Sequence, residues 1–429
     1  MKSTKQNWYE LGIKHIWLPY TQMQEVPEQL KVIKTKGSYI YLEDGRKLID
    51  GVSSWWATSH GHNHPYIAKQ MRQQLKQFPH VMFAGLAHKP AYELASRLVE
   101  FVNKKEPTLN KVFFSDSGST AVEVALKMAI QYHYNIGKVK HKFICFKNSY
   151  HGDTMGAMSL ADPDNSMHAK FAKMLPKQIA LEIPDTEEKF AKFVQTLDTH
   201  QANIAGLIIE PLVQCAGGMK FYNKDILNKI LSECKKRNII TILDECATGF
   251  YRTGAKFAFH QTDFSADILI LGKALTGGSI TLSATMATDK IFNSFLSNSL
   301  DNALMHGPTF MANPLACSAG LASLDLFESN NYKELVQNIT NIFHTELKNI
   351  TSHQNVKDVR ILGAIAVIEL KQCNWQDICA MRKELINYNV WLRPFANVIY
   401  IMPPLTINKT DLKRLVNCAK KLVSIVKSH

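Results

Sequence analysis

The run Asn238-Ile-Ile-Thr-Ile-Leu-Asp244-Glu-Cys-Ala-Thr-Gly249, with Asp267-Ile-Leu-Ile-Leu-Gly272-Lys273-Ala274 close behind it, decides how this chain folds. Each stretch carries a short apolar run that stops at polar or glycine residues. Such runs are too brief for a buried helix and lack the alternation of a half-exposed strand, so they read as strands covered on both faces. Working outward, the same pattern predicts strands over 111–114, 142–146, 204–209 and 281–286. Helical spacing fills the gaps. Val122, Ala125, Leu126, Ala129 and Ile130 share one face over 120–134, and a second helix spans 225–236. Alternating strands and helices predict an α/β domain on a mostly parallel sheet.

From a helix near 313–327 onward the pattern changes. A helix over 332–349, strand-like runs over 359–370, at Trp391 and over 398–402, and a closing helix over 409–427 predict a smaller α+β domain. The segment 39–50 reads as a hairpin turning at Asp44-Gly45, packed with the C-terminal part. The expected division is residues 1–60 as an N-terminal segment contributing to the small domain, 61–328 as the large domain and 329–429 as the C-terminal small domain.

The two opening strands end in Asp244 and in Gly272-Lys273. Alone, a strand-end lysine is a snorkelling surface group and a strand-end aspartate a helix cap. Together at neighbouring sheet edges they suit pyridoxal phosphate, whose aldehyde takes a lysine amine and whose ring nitrogen takes a carboxylate. Phe114-Ser-Asp-Ser-Gly-Ser-Thr120 turns from strand to helix, so Gly118 and Ser119 can offer N–H and hydroxyl groups to a phosphate at the positive helix end. It is neither a nucleophile elbow nor a dinucleotide fingerprint. Tyr150, after the 142–146 strand, is the aromatic placed to stack on a planar ring.

Composition excludes several classes. The 429 residues, 46% hydrophobic and 20% charged, allow a large core. The net charge is +13, but the basic residues are spread out. No basic stripe is interleaved with aromatics, so no nucleic-acid partner is expected. No stretch approaches the ~20 apolar residues of a membrane span, and no apolar signal core follows Met1; a cytoplasmic protein is expected. The 8 cysteines include no Cys-x-x-Cys pair, which predicts reduced thiols rather than a zinc ribbon. His60-Gly-His62-Asn-His64 alternates like a ligand set, but Gly61 and Pro65 mark a turn and no metal is expected.

Ser117-Gly-Ser119, Tyr150-His-Gly152, Glu210-Pro211, Asp244-Glu-x-x-Thr-Gly-Phe250, Arg252-Thr-Gly254 and Gly272-Lys-Ala-Leu-Thr-Gly-Gly278 together resemble the class III pyridoxal phosphate-dependent aminotransferases of fold type I, along nearly the whole chain. The resemblance implies a homodimer with shared active sites. Gly118 and Ser119 of one subunit, and Pro308 and Thr309 of the second, would hold the phosphate. Tyr150, Asp244 and Lys273 would complete the cofactor site.

A second set is similar to one branch of that family. It comprises Trp17-Leu-Pro-Tyr20-Thr21, Trp55-Trp56, Tyr150-His-Gly-Asp-Thr154, Gly277-Gly-Ser-Ile-Thr-Leu-Ser-Ala284, His306-Gly-Pro-Thr-Phe-Met311 and Leu392-Arg-Pro-Phe395. The branch aminates 8-amino-7-oxononanoate to 7,8-diaminononanoate in biotin synthesis, with S-adenosylmethionine as donor in a ping-pong cycle. This implies Lys273, Asp244 and Tyr20 as catalytic residues. Trp55, Tyr20, Tyr150, Lys273 and Gly307 would line the substrate slot, and Arg393 would take the substrate carboxylate, a task that suits a guanidinium. Arg252 and Asp153 are further candidates for telling the two substrates apart.

Three departures stand out. Cys246 occupies a position that is usually a branched aliphatic. Tyr251 stands where this branch often has glycine. Cys215 stands about where glutamate-using relatives carry an acidic residue shortly after Glu-Pro. The alternatives are another class III ω-amino acid or diamine aminotransferase, the same reaction with lysine as donor, and a non-catalytic DNA-binding regulator on the same fold. No helix-turn-helix extension for the last of these is read before the fold.

Overall fold

Every residue of Ile204–Ile209, Ile240–Asp244 and Ile268–Leu271 is buried, which is why their side chains show no two-residue alternation. The computed structural model describes residues 7–24, 28–104, 108–164 and 166–426. Among them, seven strands form one sheet in the order Leu109–Ser115, Ser283–Thr288, Ile268–Leu271, Ile240–Asp244, Ile204–Ile209, Lys142–Phe146 and Ile179–Leu181. Ser283–Thr288 runs antiparallel to both its neighbours, and the other pairings are parallel. The expected α/β architecture with a mostly parallel sheet is therefore present.

Both faces are covered. The helix Gly118–Asn135 buries Ala121, Val122, Ala125 and Ala129 against Phe143, Ile208, Ile242 and Ile268. The opposite face carries the larger core, with Phe101, Phe146, Leu207, Leu243, Leu269 and Phe327. Each such side chain contributes about 1.5–3 kcal/mol through burial. Asp244 lies level with Ile270 across the parallel pair. Asp244 and Lys273 therefore leave the sheet at the same edge, the carboxyl end where open α/β sheets hold ligands.

A second sheet joins distant parts of the chain. Val32–Lys36, Tyr39–Leu42 and Lys47–Asp50 pair antiparallel, and Lys47–Asp50 then pairs in parallel with Val390–Trp391. Ser53 Oγ donates to the Met402 carbonyl at 2.8 Å, 349 residues later. A third sheet is Val356–Leu362, Ile365–Leu370 and Val398–Ile401. The run read as 359–370 is thus two strands, folded back at Gly363, whose φ is +57°. That turn butts against Arg252–Gly254, where a Cβ on Gly363 would sit 2.4 Å from the Thr253 carbonyl carbon.

Glu369 ties this third sheet to the short hairpin of Val213–Gln214 and Lys220–Phe221. Lys220, Lys357 and Arg360 all donate to its carboxylate, which they hold down at about 2 although burial works the other way.

Other bounds shift modestly. The strand expected over 281–286 spans Ser283–Thr288, because the ladder starts at Ser283 opposite Ser115. The last helix is Lys409–Val423; residue 427 of the expected helix lies outside the described residues, as do residues 1–6 of the expected N-terminal segment. The histidine alternation is structural. His62 bridges to Gly37 and bonds Asp50 at 2.8 Å, His64 caps the helix Pro65–Gln77, and His60 is buried on Ser323 at 2.9 Å. No metal-binding cluster occurs among the described residues, and no helix among them is long and apolar enough to cross a membrane.

Candidate active site

A cavity of about 440 Å³ opens at the carboxyl edge of the large sheet. Ser117, Gly118, Ser119, Tyr150, Asp244, Cys246 and Lys273 contribute to its wall. A cavity of about 500 Å³ lies elsewhere, among Arg97, Asp325 and neighbouring side chains, but Arg97 and Asp325 there neutralise each other at 2.5 Å and no lysine–carboxylate pair faces it.

One end of the first cavity is a helix terminus. Ser117 caps the helix Gly118–Asn135 by accepting from Thr120 N–H at 3.3 Å. The N–H groups of the first turn therefore point into the cavity with the positive end of the helix dipole. Ser119 Oγ is fixed there by the N–H of Asp153 at 3.2 Å. Gly152 makes this approach possible: its φ is +123°, and a Cβ there would lie 2.0 Å from Ser119 Oγ.

The other end holds the charges. Asp244 is buried, and its Oδ1 accepts the Cys246 N–H at 3.1 Å. Its Oδ2 lies 2.8 Å from His151 Nδ1. A carboxylate only accepts, so His151 presents Nδ1–H to it. Burial opposes the charge on Asp244, but the hydrogen bond and charge of His151, with Lys273 nearby, hold its carboxyl below the usual range. Lys273 is half-buried, has φ +45° just past its strand, and places Nζ 5.2 Å from the Trp56 ring centroid.

Cys246 forms part of the floor. Burial raises its thiol well above the ordinary value, so it packs as a neutral group. Cβ atoms on Gly118 and Gly272 would meet its sulfur at 3.0 and 3.1 Å.

Behind the wall, Glu210 is buried, and its two carboxylate oxygens accept the N–H groups of Tyr150 and Cys215, each at 3.0 Å. It thereby fixes the loop that carries Tyr150 and His151. Burial pushes this carboxyl up to about 7.

An aromatic flank continues from Tyr150. Tyr20 donates to Asp153 Oδ2 at 2.7 Å and lies 3.4 Å from the Tyr150 hydroxyl. Trp55 meets Tyr20 edge-on at 6.2 Å, and the Arg393 guanidinium sits 4.8 Å from the Trp55 ring centroid. Tyr20, Trp55 and Arg393 thus form one continuous group, although they come from three distant segments. Burial raises the hydroxyls of both Tyr20 and Tyr150 above their ordinary value, so both remain protonated donors.

Gly307, Pro308 and Thr309 lie apart from the cavity wall in the single chain. Their segment rests against the strand and helix at Phe113 and Lys127 through His306. Arg252 is 1% exposed and donates to the Pro403 carbonyl at 2.7 Å. It faces backbone, and burial pushes its pKa down to about 10. Tyr251 stacks on Phe327 at 5.9 Å and on Tyr332 at 5.8 Å, which explains a bulky ring at that position. His151 and Gly152, inside the Tyr-His-Gly motif, and Glu210 are contributors to which sequence reasoning assigned no role.

The residues fit a phosphorylated pyridine aldehyde. The cradle at Gly118, Ser119 and Gly152 has backbone donors, a hydroxyl and no room for an added Cβ. Asp244 is a buried carboxylate held ionised opposite that cradle, and Lys273 is an amine over the same cavity.

Residues 20–423 match the family described as aminotransferase class-III. A protein of Buchnera aphidicola subsp. Baizongia pistaciae named adenosylmethionine-8-amino-7-oxononanoate aminotransferase is 43% identical over 411 residues, 94% of each chain. A protein of the same name from Corynebacterium glutamicum is 39% identical over 92% of this chain and 93% of its own length. The crystal structure of the Methanocaldococcus jannaschii protein of that name superposes with TM-score 0.92 at 33% identity, covering 97% of this chain and 98% of that one. An omega transaminase from Pseudomonas jessenii, solved in complex with PMP, superposes with TM-score 0.89 at 26% identity, covering 98% of each chain.

Proposed function

Because the chain belongs to the class III aminotransferase family, we propose that it transfers an amino group from S-adenosylmethionine to 8-amino-7-oxononanoate, giving 7,8-diaminononanoate for biotin synthesis, with pyridoxal phosphate as cofactor. The observation that carries this reading is the Tyr20–Trp55–Arg393 group beside the Lys273–Asp244 cavity. A long apolar acid needs an aromatic slot with one cation at its far end. The aromatic faces also suit a sulfonium donor.

Gly118 and Ser119 hold the phosphate at the helix end. Tyr150 would pack against the ring, with Cys246 lining the same cavity. Asp244 keeps its charge beside the ring nitrogen, and His151 orients Asp244. The bound cofactor withdraws electrons from the substrate carbon that carries the amino group, so that its proton can be removed. Lys273 Nζ would take the aldehyde when the cofactor binds, and as a free amine it would remove the proton from the substrate carbon as base and deliver a proton back as acid. Arg393 holds the keto acid carboxylate, and the Tyr20 hydroxyl, fixed by Asp153, orients the amino end.

Two observations favour a dimer with shared sites. The residues expected to complete the phosphate cradle, Pro308 and Thr309, lie away from the cavity of their own chain, and Thr309 is exposed.

The test is a single-turnover donor screen. S-Adenosylmethionine should convert bound cofactor to its amine form, and 8-amino-7-oxononanoate should return it. Absorbance that ignores S-adenosylmethionine and responds to lysine or ornithine would refute the donor assignment.

A further inference from the structure

The chain turns the wrong way at its tryptophan pair. Ser53, Ser54, Trp55 and Trp56 have φ of +47°, +45°, +60° and +73°, and none is glycine. Ser54 and Trp55 have ψ of 59° and 48°, values of the left-handed helix. Trp56 N–H reaches the Val52 carbonyl and Ala57 N–H the Ser53 carbonyl, each at 2.9 Å, so the four residues make a closed left-handed turn. L-residues adopt single left-handed positions rarely and consecutive ones hardly at all. Nothing in Ser-Ser-Trp-Trp favours it, so the surroundings must impose it.

The constraint comes from Asp50, which is fully buried. Its Oδ1 accepts the Val52 N–H at 3.0 Å. Its Oδ2 accepts the Ser54 N–H at 2.8 Å and the Ser54 hydroxyl at 3.1 Å. His62 Nε2 lies 2.8 Å from the same oxygen and fixes the carboxylate from behind. The turn separates the two indoles. Trp56 goes inward, 8% exposed, toward Lys273, whereas Trp55 stays 42% exposed between Tyr20 and Arg393.

We propose that Asp50 is a positioning residue that imposes the left-handed turn and so aims Trp55 at the carboxylate end of the substrate slot. The assignment of that slot rests on the function proposed above; the handedness and its cause do not. Asparagine at 50 keeps the shape but supplies one acceptor oxygen for two N–H groups.

Three variants test this: Asp50→Asn, Ser54→Gly and the double variant. Glycine accepts positive φ without strain. Ser54→Gly alone trades that strain against the hydroxyl bond to Asp50 and should leave both KM values at wild type. Asp50→Asn should change the near-ultraviolet circular dichroism of the tryptophans without cofactor present. It should also raise KM for the keto acid about 10- to 100-fold, the effect of roughly 1 Å of misplacement, and raise KM for the donor less. The double variant should recover much of that KM.

A double variant that recovers none of that KM, or that fails to fold as Asp50→Asn does, overturns the proposal. A stability loss in Asp50→Asn with both KM values unchanged also overturns it, by making Asp50 a brace alone. If wild type ignores the proposed substrates, the function fails while the dichroism of Asp50→Asn, and its recovery in the double variant, still judge the turn.

Discussion

Replacing Gly152 with alanine should strip the protein of its phosphate cradle. The added Cβ would lie 2.0 Å from Ser119 Oγ, 2.6 Å from its Cβ and 2.9 Å from its Cα. Carbon and oxygen need roughly 3.4 Å or more, so rotating the hydroxyl away leaves the other two clashes, one of them with backbone. The first turn of the helix Gly118–Asn135 must move. Overpacking of this kind costs about 1–3 kcal/mol, and the φ of +123° at position 152 adds about 1–3 kcal/mol for a residue with a side chain. The hydroxyl also loses its hold on the Asp153 N–H.

Because the damage sits on the residues that would hold the phosphate, cofactor affinity should fall at least 100-fold, at about 1.4 kcal/mol per tenfold. Equilibrium dialysis against pyridoxal phosphate reads this directly. Gly85→Ala is the control: its φ is +83°, but a Cβ there meets nothing within 4 Å, so it should lose stability without losing cofactor affinity. A Gly152→Ala protein that binds the cofactor like wild type would refute the cradle.

Arg393→Ala should raise KM for the keto acid far more than for the donor; equal effects in steady-state kinetics would remove its carboxylate role. Asp244→Asn deprives either His151 or the Cys246 N–H of its acceptor. It should cost about 1–3 kcal/mol in Tm-derived stability and slow both half-reactions by stopped flow. Acid should also destabilise the fold through His60. Burial lowers its pKa from 6.5 to about 3, so between these values the unfolded chain binds the proton and the folded one does not. The stability this histidine contributes is present above pH 6.5 and is lost as pH falls toward 3, about 3–5 kcal/mol in all at 1.36 kcal/mol per unit. His60→Gln should flatten urea-melt stability against pH in that window, and an unchanged slope would refute the assignment.

The parallel sheet was legible because strands such as Ile204–Ile209 are buried on both faces and leave unbroken apolar runs. Asp244 and Lys273 were legible because each closes such a run. Ile179–Leu181 was not, since three half-buried residues carry no pattern. The fold-back at Gly363 was missed because apolar residues continue straight through it. The cluster of Tyr20, Trp55 and Arg393 became visible only through resemblance, as it joins the first part of the chain to Arg393 near its end. The left-handed turn was invisible in principle: Ser-Ser-Trp-Trp has no residue that prefers positive φ, and the cause is a carboxylate whose burial depends on the finished fold.

The parallel pairing of Lys47–Asp50 with Val390–Trp391, and the Ser53–Met402 bond across 349 residues, set a schedule for birth on the ribosome. At about 5–20 residues per second, roughly twenty seconds to a minute separate the emergence of one partner from the other. Until then Leu48 and Ile49, both buried in the finished protein, belong to an unmatched strand edge on a nascent chain. A messenger truncated before codon 390 would therefore yield a polypeptide that can lay down the seven-stranded sheet yet keeps a sticky N-terminal hairpin, an expected client for chaperones.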